Sequence, residues 1–135
     1  LVCLVGSEMC IRDSYLPDQD HGPEHSVFVD FFATRKATLP GLGKIAKLSR
    51  SKVLPMFAAM NTEDGSFDIE ILPAFELDKG EEQDARTCNQ AIEYFVANKP
   101  EQYMWVLQLL HSQENGNNYY NLFKPRYNSD WKVEK

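Results

Sequence analysis

The segment Thr38-Leu-Pro-Gly-Leu-Gly-Lys-Ile-Ala-Lys-Leu-Ser-Arg-Ser-Lys-Val-Leu-Pro-Met-Phe-Ala-Ala-Met60 changes its hydrophobic period halfway along, and that change decides the fold class. Thr38 followed by Pro40 reads as a helix start. Leu42, Ile45 and Ala46 then share one face at helical spacing, while Lys44, Lys47 and Arg50 fall on the other, so an amphipathic helix of about three turns with a cationic outer stripe is expected. Val53 to Met60 is a nearly continuous apolar run, the pattern of a buried strand in a parallel or mixed sheet. A helix passing directly into such a strand points to an α/β architecture.

Working outward, Asn61 to Ser66 reads as a turn with Asp64-Gly65 at its tip, and Phe67 to Ile71 alternates as a strand with one face in water. From about Glu82 to Asn98, the positions Ala85, Cys88, Ala91, Ile92, Phe95 and Val96 repeat at helical spacing until Lys99-Pro100 closes the helix. A second helix is expected from Pro100, carrying Tyr103, Met104, Leu107 and Leu110 with Trp105 near its edge, followed past His111 by a polar tail over 113–135. In the other direction, Val27 to Phe32 suits a short strand or a packed loop. Tyr15-Leu16-Pro17 ends a strand and enters the polar loop Asp18 to Ser26, where Gly22 and Pro23 exclude regular structure.

With 135 residues, 43% hydrophobic and 25% charged, the chain has the composition of one globular domain or part of one, not of a disordered segment. Its apolar runs fall short of the roughly 20 residues that a membrane span needs. The three cysteines, Cys3, Cys10 and Cys88, form no CxxC pair and no zinc-ligand spacing with histidine, so a reducing compartment and no cofactor are the expectation. The net charge of -6 conceals a partition: no acid lies between Asp30 and Glu63, where Arg35, Lys36, Lys44, Lys47, Arg50 and Lys52 all sit. The acids follow from Glu63 to Asp84, opposed only by Lys79.

Residues 1–14, LVCLVGSEMCIRDS, lack the basic start and the long apolar run of a signal peptide. Back-translated from Leu4 into the Ser14 codon, they read as a transposon-end sequencing adapter. The expectation is therefore an adapter-derived start on a chain truncated at its N-terminus, the natural protein continuing upstream of Tyr15.

Three constellations have chemical content. The first is the loop from Asp18 to His25, with Asp18, Asp20, His21 and His25 just past a strand end, where open α/β sheets bind ligands. It reads as a polar substrate-contacting site, as a solvated turn, or as the ligand set of a metal-dependent hydrolase, although Gly22-Pro23 prevents the helical pairing of two histidines used in zincins. The second is His25 with Asp30, the spacing of a general base and its orienting acid; on an extended strand the two side chains would point to opposite faces. The third is the basic segment Arg35 to Lys52 beside Phe28, Phe31 and Phe32, which suits an anionic membrane surface or a phosphorylated amphiphile better than nucleic acid. A peripheral lipid-binding module without catalysis is the non-enzyme alternative.

The blocks Tyr15-Leu-Pro-Asp-Gln-Asp-His-Gly-Pro-Glu-His-Ser26, Phe28-Val-Asp-Phe-Phe-Ala-Thr-Arg-Lys-Ala-Thr-Leu-Pro40, Lys52-Val-Leu-Pro-Met-Phe57 and Pro100-Glu-Gln-Tyr-Met-Trp105 resemble the late acyltransferases of lipid A biosynthesis, in family order and most of all their myristoyl-transferring members. The resemblance covers Tyr15 to about Leu110. It implies the C-terminal part of a glycerolipid-acyltransferase-like α/β domain over 15–112, a mixed sheet flanked by helices. It also implies an inner-membrane enzyme, working on the cytoplasmic side, that moves a fatty acyl chain from acyl carrier protein to a hydroxyl of a Kdo-bearing lipid A precursor. The family's catalytic histidine and acid lie upstream of the Pro-Asp-Gln-Asp block, so His25 and Asp30 occupy a different place and the fragment is expected to be inactive alone. What it retains is substrate handling: Asp18, Gln19 and Asp20 near the active-site mouth, and Arg35, Lys36, Lys44, Lys47 and Arg50 steering an acidic carrier protein, an anionic lipid or the membrane surface. One departure is that Gln108, His111, Ser112 and Gln113 stand where relatives tend to be basic.

Overall fold

The computed structural model describes residues 2–5, 12–116, 118 and 120. Its strands are β1 (Val2–Val5), β2 (Arg12–Tyr15), β3 (Val27–Phe31), β4 (Thr34–Thr38), β5 (Lys52–Met60) and β6 (Phe67–Ile71), with helices α1 (Leu42–Ser49) and α2 (Glu81–Asn98). A four-stranded sheet in the order β2-β1-β5-β6 and a separate β3-β4 hairpin make a mixed α/β fold. Every strand pairing among the described residues is antiparallel, in contrast to the parallel or mixed sheet expected from the apolar run of β5. The reason lies in coverage. Val53, Pro55, Phe57 and Ala59 are buried while Lys52, Ala58 and Met60 are exposed, so β5 has one packed face in spite of its uniform composition. Residues 2–5 form the strand between β2 and β5.

The helix α2 is the pillar of the core. Its six expected apolar positions are all buried. Cys88 joins Leu42, Ala46 and Val53; Ala91 and Phe95 join Phe57 and Ala59; Ile92 and Val96 join Phe31. The Phe57 and Phe95 rings stack with centroids 4.8 Å apart. At the start of α2, Glu81, Glu82 and Asp84 complement the helix dipole. The Asp84 carboxylate, buried, accepts the N–H groups of Asp78 and Lys79, each at 3.2 Å. It also presses on Gly43 of α1, where a Cβ would come to 2.0 Å from Oδ2, so the helices meet at a point only glycine permits.

Three elements differ from expectation. The helix α1 is eight residues long, shorter than expected; Arg50 takes a left-handed φ of 52° and its N–H closes the last turn. Within α1, Ile45 is exposed and the core face is Leu42, Gly43 and Ala46. The strand β6 is exposed along both faces, because nothing among the described residues covers Phe67, Ile69 and Ile71. The helix expected from Pro100 is replaced by two single 3₁₀ turns, Pro100–Gln102 and Trp105–Leu107, separated by an extended Tyr103. Tertiary bonds outweigh helix propensity there. The Gln102 amide clamps both backbone groups of Met60, at 3.2 and 2.9 Å, and Tyr103 reaches across to the loop after β2. Among the described residues no helix is long and apolar enough to cross a membrane. The polar tail expected over 113–135 falls mostly outside the described residues.

Candidate functional site

The loop after β2 is held by side chains from distant parts of the chain. Asp18 Oδ2 accepts the Tyr103 hydroxyl at 2.9 Å. Asp20 accepts twice: Oδ1 takes the Gly22 N–H at 2.9 Å and Oδ2 takes the Ser112 N–H at 2.6 Å. Burial pushes the Asp20 carboxyl up, and these N–H bonds more than reverse it, so the group lies below its ordinary value. Gln19 is half-buried between the two acids. Tyr103 is pushed well above the ordinary phenol value, first by burial and then by the charge and hydrogen bond of Asp18.

Asp18 and Tyr103, bonded to each other, are polar groups in the wall of an apolar cavity of about 250 Å³. Phe57, Phe75, Ala91, Ile92 and Phe95 contribute to its walls. A cavity with such walls favours an apolar occupant. Carboxylates are acceptor-only groups with room for several donors, so Asp18 and Asp20 can take further hydrogen bonds from a hydroxyl-bearing ligand.

The expected basic cluster divides. Lys36 is not on the surface: it lies on β4 with no exposed area, its ammonium donating to the Ala37 carbonyl at 3.3 Å and standing 6.0 Å from the Phe31 ring centroid. Burial pushes it down from 10.5 to about 8, against the charges of Asp18 and Asp20. Arg35 bonds the Glu114 carboxylate with 2.7 Å contacts and also the Phe28 carbonyl. Lys44 pairs with Glu81, and Lys47 with Asp78 at 2.9 Å. The acids that follow in sequence thus fold back over the basic helix face, and each exposed pair is worth little to stability. Arg50 is exposed at the end of α1.

His25 and Asp30 are both exposed, on a 3₁₀ turn and on β3, and form no hydrogen bond or ion pair with each other. Among the described residues no three His, Cys, Asp or Glu side chains converge as a metal site, so the hydrolase reading of Asp18, Asp20, His21 and His25 lacks a ligand set. Sequence reasoning missed Tyr103 and Ser112 as loop partners, because contacts 85 and 92 residues apart leave no local signal.

Comparison with known proteins decides the class. The family model described as bacterial lipid A biosynthesis acyltransferase matches residues 13–112. The chain belongs to this family. Among relatives, the chain is similar to a lipid A biosynthesis acyltransferase of Haemophilus influenzae, 56% identical over 106 residues, which are 78% of this chain and 33% of the relative. It is also similar to the lipid A biosynthesis myristoyltransferase of Escherichia coli, 46% identical over 104 residues, with 76% and 32% covered. The lauroyltransferase of the same organism is 31% identical over 106 residues, with 76% and 34% covered. The chain therefore spans about a third of the length of these lipid A acyltransferases.

Proposed function

We propose that this chain is the substrate-handling C-terminal part of an acyltransferase that moves a fatty acyl chain, myristoyl or lauroyl, from acyl carrier protein to a hydroxyl of a Kdo-bearing lipid A precursor. The observation that carries this reading is the family match over 13–112, which includes the whole Asp18–His25 loop. The parent enzyme works on the cytoplasmic face of the inner membrane, and its catalytic histidine and acid belong to the part upstream of residues 15–112. On this reading the fragment binds and orients but does not turn over alone.

The local geometry supports a division of labour. The apolar cavity suits a hydrocarbon segment, and Asp18 in its wall, with Gln19 and Asp20 next to it in the chain, suits the acceptor's hydroxyl groups. The residues Arg35, Lys44 and Lys47 serve the anionic carrier protein or head group by exchanging their exposed intramolecular pairs for intermolecular ones, and the exposed Arg50 adds to their charge. In the full-length protein, Asp18→Asn and Asp20→Asn are each expected to lower kcat/KM for acyl transfer by roughly ten- to a hundredfold, the value of a hydrogen bond to a charged group. Unchanged kcat/KM in both variants rejects the loop as a substrate contact.

A further inference from the structure

We propose that the C-terminal end of α1 docks on an anionic lipid bilayer, with Leu48 entering the interface and Arg50 and Lys52 meeting lipid phosphates. The close approach of Gly43 to Asp84 sets how α1 is turned. Leu42, Gly43 and Ala46 go into the core, and the remaining aliphatic positions face outward: Ile45 is 40% exposed and Leu48 86%. On an eight-residue helix with that buried side, Leu48 lies at the crest of the opposite side, one turn from Lys44 and beside Lys47. A single exposed leucine is ordinary on a protein surface. At the crest of a cationic helix face it has the pattern of a helix that lies in a membrane interface.

Two further observations fall on the same end of α1. Lys44 and Lys47 are paired with Glu81 and Asp78, whereas Arg50 and Lys52, both exposed, form no ion pair among the described residues. Positive charge is therefore in surplus just past the last turn. Beside it lies an open groove of about 420 Å³, where Phe75 and Leu77 supply apolar wall and Lys47, Arg50 and Lys52 face Glu76 and Asp78. Cations bordering apolar side chains match the boundary between anionic head groups and acyl chains. The backbone fits as well, because a helix end that enters an interface must not carry bare carbonyls. The Ser49 hydroxyl donates to the Ile45 carbonyl at 2.8 Å, the Ser51 N–H to that of Ala46 at 3.0 Å and the Arg50 N–H to that of Lys47 at 3.3 Å. A bilayer accepts a protruding leucine without a preformed pocket, which an acidic protein partner would have to supply. The inference deepens the acyltransferase reading, on which it rests for a place at a membrane, by choosing the bilayer as the partner of Arg50.

The test is cosedimentation of the 135-residue chain with vesicles of phosphatidylcholine alone, or mixed equally with phosphatidylglycerol, at low and at high salt. Expected is binding to the mixed vesicles that weakens with salt and is at least about tenfold weaker on phosphatidylcholine alone. Arg50→Gln and Lys52→Gln are each expected to lower binding about fivefold. Leu48→Ala is expected to lower it about tenfold. All three side chains are exposed, so these substitutions leave the core intact. Ile69→Ser, on the exposed strand β6, is expected to leave binding unchanged. Equal binding to both vesicle types, binding that survives the three α1 substitutions, binding lost with Ile69→Ser instead, or none at all overturns the proposal. So does an acidic carrier protein that binds through Leu48 and Arg50 while the vesicles do not. Vesicle binding needs no turnover, which separates the two readings. Acyl transfer by the full-length protein without vesicle binding by the chain overturns the docking alone, and docking without transfer rejects the acyltransferase reading alone.

Discussion

Lys36 and Cys88 lie close enough to influence each other, and burial moves them in opposite directions, which gives the chain a distinctive pH profile. The Lys36 ammonium is lowered from 10.5 to about 8, so between these values the unfolded chain binds the extra proton and stability rises with pH. The Cys88 thiol is raised from 9.0 to about 12, so between those values the folded chain binds the extra proton and stability falls. Only from about pH 8 to about pH 9 does Lys36 act without opposition, and the expected gain is up to about 1 kcal/mol. Urea unfolding at the two ends of that window checks it, and Lys36→Met is expected to abolish the rise. The position of Lys36 was hidden in the sequence because its neighbours Arg35, Lys44 and Lys47 are the exposed cations they look like. A charge run ordinarily marks a solvated face. Here β4 passes into the core after the exposed Arg35, and Lys36, Ala37 and Thr38 are all buried.

At the scale of elements, contact between α1 and α2 turns on Gly43. Gly43→Ala places a methyl 2.0 Å from Asp84 Oδ2, which displaces the carboxylate from the Asp78 and Lys79 N–H groups. The expected loss is about 1–3 kcal/mol, measured as a lower urea midpoint at unchanged slope. The helix α2 was legible because its apolar positions keep a strict period over many residues, and β5 because no other element fits a continuous apolar run of that length. The β3-β4 hairpin was only half legible. Its turn is Phe32-Ala33, without the glycine or asparagine that announces such turns, and Phe32 adopts a φ of 50°. That conformation is held from a distance: the Phe32 N–H donates to Glu93 at 2.6 Å, and Arg86 joins Glu93 to the Asp30 carbonyl. Asn89, fully buried, binds the hairpin to α2 through the same Asp30 carbonyl and the Thr38 hydroxyl. The 3₁₀ turns after Pro100 escaped for the same reason, since the periodic Tyr103, Met104 and Leu107 obey a helical pattern that the Gln102–Met60 and Tyr103–Asp18 bonds override.

For the whole molecule, two small sheets and two helices bring Asp18, at the start of the polar loop, into the wall of an apolar cavity. The loop itself was legible from its composition and its place past a strand end, while the partners that orient it come from the far end of the chain. The role proposed for this chain is to handle substrate for acyl transfer to a lipid A precursor. The most direct measurement is mass spectrometry of a Kdo-bearing lipid A precursor after incubation with the acyl-loaded carrier protein, using the full-length gene product and, separately, the 135-residue chain. The account predicts that the full-length product adds the mass of one acyl chain and that the 135-residue chain adds none. A full-length product that leaves the precursor mass unchanged, with either myristoyl or lauroyl donor, would contradict it.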